Sequence, residues 1–112
     1  MESCNTQDCT QTYNFTNSGW GETTTHTFYC PTLPSSVKIV ATCDDYSIIH
    51  VNGFQVYNPG GCSCGDGGNC AKLAANVEVS SKCIVGNNTI TWRCIDVCGG
   101  ESSGNLNLTV IY

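Results

Sequence analysis

Polar and apolar residues alternate by twos along most of the chain, and no useful length of it repeats apolar positions at the helical period of about 3.6 residues. Thr23 to Cys30 is Thr-rich and carries Phe28 and Tyr29, while Ser36 to Cys43 places Val37, Ile39, Ala41 and Cys43 on one face. Both segments predict strands, because β-branched and aromatic residues pack well on a pleated surface. Between Ile48 and Tyr57 the run Ile-Ile-His-Val-Asn-Gly-Phe-Gln-Val-Tyr has Asn52-Gly53 at its centre. That pair suits the positive φ angles of a two-residue turn, so a β-hairpin is expected there. Val77 and Val79 mark another short strand, after a single helical turn expected at Ala71 to Ala75, where the good helix formers gather.

The last third continues the pattern. Gly86-Asn87-Asn88 reads as a turn into a strand with Ile90, Trp92 and Cys94 on one face, and Trp92 is assigned to the core. Leu106, Leu108, Val110 and Tyr112 alternate with Asn105, Asn107, Thr109 and Ile111, so the first set is expected to face inward from a closing strand. Seven or eight short strands must bury their apolar faces against one another. The fold class expected is therefore all-β, a small disulfide-stabilised two-layer β-sandwich of jelly-roll-like form. Residues 1–112 are read as a single domain, with the Gly-rich segment Pro59 to Asn69 as an internal loop.

Composition narrows the partners. The four basic residues, Lys38, Lys72, Lys82 and Arg93, stand against nine acidic ones and give a net charge of -5. A chain of that balance cannot track a phosphate backbone, so neither nucleic acid nor an anionic membrane is an expected partner. No apolar run approaches the roughly 20 residues that span a bilayer as a helix. The opening Met1-Glu2-Ser3-Cys4-Asn5 is polar where an export leader is basic and then apolar, so no leader is expected. Ten cysteines in 112 residues, however, ask for an oxidising environment. A mature fragment, a cytosolic metal-binding protein, or a protein oxidised when it leaves within or upon a virus particle would each reconcile the two. The last best fits a short, acidic, cysteine-rich chain without a leader.

The segment Val37 to Val56, with Asp44-Asp45-Tyr46 leading into Ile49-His50-Val51-Asn52-Gly53, resembles the acidic-pair and Asn-Gly signature of galactose-binding-like jelly rolls. The segment is likewise similar to carbohydrate-binding-module-type and related protective-antigen-type domains. Gly86-Asn87-Asn88-Thr89-Ile90-Thr91-Trp92 looks like a later strand of the same domains, and the resemblance runs from Val37 to Ile111. It implies that Asp44 and Asp45 hold calcium or touch a sugar hydroxyl. Cys62, Cys64 and Cys70 depart from the family's pattern.

Cys4, Cys9, Cys30, Cys43, Cys62, Cys64, Cys70, Cys83, Cys94 and Cys98 form an even set spread through the chain, as a disulfide framework would be, although spacing does not give the pairing. The competing reading is zinc held by Cys62, Cys64 and Cys70 with Cys94 or Cys98, and it is weaker because the short-spaced pairs of structural zinc sites are missing. Neither a metal nor another cofactor is expected.

His26 and His50 have no sequence neighbour that makes a nucleophile and base pair, and read as core or surface residues. Two adjacent acids are a slender start for calcium, which takes six to eight oxygen ligands. Trp20, Trp92, Tyr13, Tyr46 and Tyr57 are the aromatic residues that could make a stacking platform for a sugar ring, with Trp20, between Gly19 and Gly21, the one expected to be exposed. Candidate ligand-binding residues are thus Trp20, Asp44, Asp45 and Tyr46. No nucleophile elbow, phosphate loop or metalloprotease motif occurs, so no enzyme activity is expected. The expected role is a structural module on a virion surface, in particular a bacteriophage capsid decoration or tail-associated protein, with a capsid or tail protein or copies of itself as partner. A glycan-binding module of a secreted or tail adhesin is the alternative, and a self-assembling extracellular fibre subunit a third.

Overall fold

The alternation in residues 36–43 becomes a strand in which Val37, Ile39, Ala41 and Cys43 are buried and the residues between them face outward. The same rule builds the remaining elements of this computed structural model, which describes residues 10–17, 23–43, 46–59, 75–95 and 104–112. Strands β1 (Thr10–Asn17), β2 (Thr23–Cys30), β3 (Ser36–Cys43), β4 (Tyr46–Val51), β5 (Phe54–Tyr57) and β6 (Ala75–Glu78) come first. A single 3-10 turn (Ser80–Lys82) separates them from β7 (Gly86–Ile95) and β8 (Gly104–Ile111).

The strands form two antiparallel sheets of order β1-β8-β3-β6 and β2-β7-β4-β5. Successive strands change sheet except at the β4–β5 hairpin, an arrangement compatible with a jelly roll. The hairpin turns where expected, with φ of 51° at Asn52 and 86° at Gly53. Between the layers lie Ile39, Ile49, Val51, Ile90, Trp92, Leu106, Leu108 and Val110, all fully buried. Trp92 could not be buried with its indole N–H unsatisfied without a desolvation penalty. It donates to the Ser47 hydroxyl at 3.0 Å, which accounts for a buried serine in the core.

Cys43 of β3 and Cys94 of β7 form a disulfide that ties one sheet to the other, with Cα atoms 5.8 Å apart. Gly104 sits beside it. A Cβ there would collide with the Thr42 carbonyl oxygen and stand 3.1 Å from the Cys94 sulfur, so the start of β8 can lie this close only as glycine. Where β1 and β2 face each other across the layers, rings fill the gap: Phe15 stacks on His26 at 4.1 Å and Tyr13 lies 6.1 Å from Phe28.

Three details differ from the sequence pattern. β1 is a strand that the sequence pattern above does not predict, although Tyr13 and Phe15 alternate with Thr12, Asn14 and Thr16. β7 begins already at Gly86, whose φ of 106° makes the sharp entry, and the buried Asn88 lies within the strand instead of the turn. Of the expected helical turn at Ala71 to Ala75, residues 71–74 lie outside the described residues and Ala75 opens β6.

Candidate functional site

Two surface features stand out, one on a sheet face and one at an end of the sandwich. The first follows from strand periodicity, which turns the opposite set of residues outward on the second sheet. Thr23 of β2, Thr89, Thr91 and Arg93 of β7, His50 of β4 and Gln55 of β5 line a groove of about 540 Å³ across the strands, whose lining Ile48, Gly53 and Asn58 complete. Pairing places Thr91 opposite His50, and Arg93 between Thr23 and Ile48. The register between β4 and β5 slips after Ile49, so His50 faces Gln55 rather than Val56. Hydroxyl, amide, imidazole and guanidinium groups here can donate and accept hydrogen bonds along a polyhydroxylated ligand, and the volume falls within the range of ligand-holding clefts. The described residues that line the groove include no carboxylate.

The second feature is apolar. β2 ends at Cys30 opposite the first residue of β7, β3 begins at Ser36 opposite Ile111, and Val51 and Phe54 pair at the hairpin. These pairings bring the 31–35 connection, the hairpin and the 80–85 segment to one end. There Tyr29, Leu33, Phe54, Ile84 and Val85 are each more than half exposed. Two asparagines hold this end together. Buried Asn88 accepts the Ile84 N–H at 2.8 Å and donates to the Ile84 and Gly86 carbonyls. Asn52 accepts the Thr89 N–H and donates to the Lys82 carbonyl, which fixes the hairpin against the segment carrying Ile84 and Val85. The Lys82 ammonium stands 4.8 Å over the Phe54 ring, a cation–π contact.

Trp20, Asp44 and Asp45 lie outside the described residues. Tyr46 opens β4, half-buried opposite Ile95, at the end that carries the disulfide and away from the groove's His50 and Gln55. Cys4, Cys9, Cys62, Cys64, Cys70 and Cys98 also lie outside the described residues, and with them the triplet considered for zinc. Among the described residues no group of three or more His, Cys, Asp or Glu side chains could hold a metal ion. Cys43 and Cys94 are bonded, whereas Cys30 and Cys83 are buried thiols. His50 lines the groove and His26 faces inward, its Nε2 buried with no hydrogen-bond partner among the described residues.

Sequence reasoning did not single out Thr89, Thr91, Arg93 or Gln55, although their outward phase on strands with Ile90, Trp92 and Val56 facing the other way was the available signal. The apolar end was less accessible still, because Leu33, Ile84 and Val85 sit in connections with no period to read. Comparison of the chain with protein-family models, with curated proteins and with solved structures found no match to any of them.

Proposed function

We propose that the chain is a non-enzymatic structural module of a virus particle, a bacteriophage capsid decoration or tail-associated protein, that docks end-on onto a capsid or tail protein. The observation that carries this reading is the gathering of Tyr29, Leu33, Phe54, Ile84 and Val85 at one end of the sandwich. An exposed apolar patch is a usual mark of a protein contact, and aromatic residues are favoured in the desolvated centre of such contacts. The inter-sheet disulfide and the acidic, cysteine-rich composition suit a small domain exposed on a particle. Jelly rolls serve capsids as well as lectins, and this support is analogy at the level of fold.

Sedimentation of source material, with the chain followed by peptide mass spectrometry, tests the reading. Co-migration with nucleic-acid-filled particles is expected; recovery only as a small soluble species overturns it.

A second reading is favoured by the groove on the second sheet. It takes the domain as a galactose-binding-like, carbohydrate-binding module of a secreted or tail adhesin, with Thr91, His50, Gln55 and Arg93 contacting sugar hydroxyls. Binding on a broad glycan panel that weakens on Gln55→Ala and Thr91→Ala is its expected result, and a panel without binding removes it.

A further inference from the structure

We propose that Cys30 and Cys83 close a second disulfide between the two layers, at the end of the sandwich opposite the Cys43–Cys94 bond. Cys30 ends β2 in the second sheet, facing Gly86, which lies three residues beyond Cys83. Cys83 follows the 3-10 turn that extends β6, and that turn belongs to the first sheet's side: the Val79 N–H donates to the Val37 carbonyl of β3 at 2.7 Å. The Cys83 thiol points back to the Val79 carbonyl, 3.4 Å away, and Asn88 clamps the next residue, Ile84, onto β7. A bond between the two sulfurs would therefore join the sheets at the apolar end as Cys43–Cys94 joins them at the other.

Both side chains are in the core, Cys30 at 0% and Cys83 at 7% exposure. Tyr112 lies beside the pair: its hydroxyl donates to the carbonyl of Tyr29, the residue before Cys30, at 3.3 Å, and burial first, then the Cys30 and Cys83 sulfurs, raise its pKa above the ordinary value. Burial, and then the charge of Cys30, push the Cys83 thiol up to about 11. Thiolate is the reacting form, so in the folded chain Cys83 is about 100-fold poorer in it than an ordinary thiol. The bond is thus expected to form before the layers close and to resist reductant afterwards.

The chemistry is thiol–disulfide exchange with a low-molecular-weight disulfide. One cysteine thiolate attacks a sulfur of that reagent, forming a mixed disulfide and releasing one small thiolate. The second cysteine thiolate then attacks the protein sulfur of the mixed disulfide and releases the other. The two cysteines lose two protons and two electrons in total, and the reagent becomes two small thiols.

The test is non-reducing peptide mass spectrometry on the full oxidised chain, alkylated in denaturant and cut with chymotrypsin and trypsin together. Cleavage after Tyr29 and Lys38 isolates Cys30 from Cys43, and cleavage after Lys82 and Trp92 isolates Cys83. A Cys30–Cys83 linked peptide, two hydrogens lighter than its parts, is expected. Alkylation of both residues, or linkage of either to another cysteine, overturns the proposal. As a second measurement, Cys30→Ala, Cys83→Ala and the double variant should show the same loss of denaturation midpoint, because either single change removes the whole bond. Losses that add in the double variant contradict it.

Discussion

The side-chain amide of Asn52 donates to Oδ1 of Asn88 at 2.9 Å, and through this bond the β4–β5 hairpin and the entrance to β7 are one unit. Asn88 is fully buried, so its own hydrogen-bonding groups have no water to turn to. Replacing it leaves the Ile84 N–H, the Ile84 carbonyl and the Asn52 amide short of a partner. Asn88→Ala is therefore expected to lower the free energy of unfolding by about 2–3 kcal/mol, measured by urea denaturation. Asn52→Ala should cost about 1–2 kcal/mol, since its position is more open. A loss below about 0.5 kcal/mol for Asn88→Ala would show that the network does not hold the apolar end.

Gly104 offers a steric test. A methyl group there meets the Thr42 carbonyl, the Trp92 ring at 3.0 Å and the Cys94 sulfur at 3.1 Å. None of these is the free end of a flexible side chain. Gly104→Ala should lower stability by about 1–3 kcal/mol, as overpacking of a core does, and should slow refolding of the oxidised chain. A neutral result would mean that β8 starts farther from β3 than described.

Removing the Cys43–Cys94 bond by Cys43→Ala with Cys94→Ala opens a loop of sequence separation 51. Loop entropy puts the loss at about 4 kcal/mol, with about 2–4 kcal/mol the usual range, read as a lower denaturation midpoint. The rest of the sandwich should keep its strands, because Trp92, Ile39 and Leu108 still pack between the sheets.

Two groups set the pH response. Burial opposes the charge of Glu78, but the Ser36 hydroxyl at 2.6 Å, the Val37 N–H at 2.9 Å and the Ser80 hydroxyl and N–H overcome it and hold the carboxyl at about 2. Its folded value is below its unfolded one, so its contribution is complete above about pH 4.5 and is lost as pH falls toward 2. Glu78→Gln should flatten that part of the stability profile and cost about 1 kcal/mol at pH 7, a figure reduced for an exposed group. Burial depresses the His26 imidazole below its usual 6.5. Stability should therefore also fall as pH drops below that value, and His26→Phe should remove this second acid limb. A profile unchanged by both substitutions contradicts the assignment.

Strand periodicity made most of the fold legible. Thr23–Cys30, Ser36–Cys43, the Asn52-Gly53 hairpin and the inward phase of Leu106, Leu108 and Val110 all follow from alternation. What alternation does not contain is which strands become neighbours. Asn88 read as turn chemistry, because nothing local says that its side chain is buried and bonded four residues back to Ile84. The candidate sites divide in the same way. Residues such as Trp20 and Asp44 drew attention by their chemistry. The groove and the apolar end arise only when Arg93, His50 and Gln55, or Leu33, Phe54 and Val85, are brought together by pairing between distant segments.

Docking through the apolar end is tested most directly by rebinding to particles stripped of the protein. Wild-type chain and the Phe54→Ser, Val85→Ser double variant would be compared by quantitative co-sedimentation. Both side chains are more than half exposed, so the variant should keep its thermal midpoint within a few degrees. Truncating two anchors at the centre of a contact is expected to weaken binding about 10-fold or more. Equal binding of variant and wild type, or no binding of the wild type, would contradict the account.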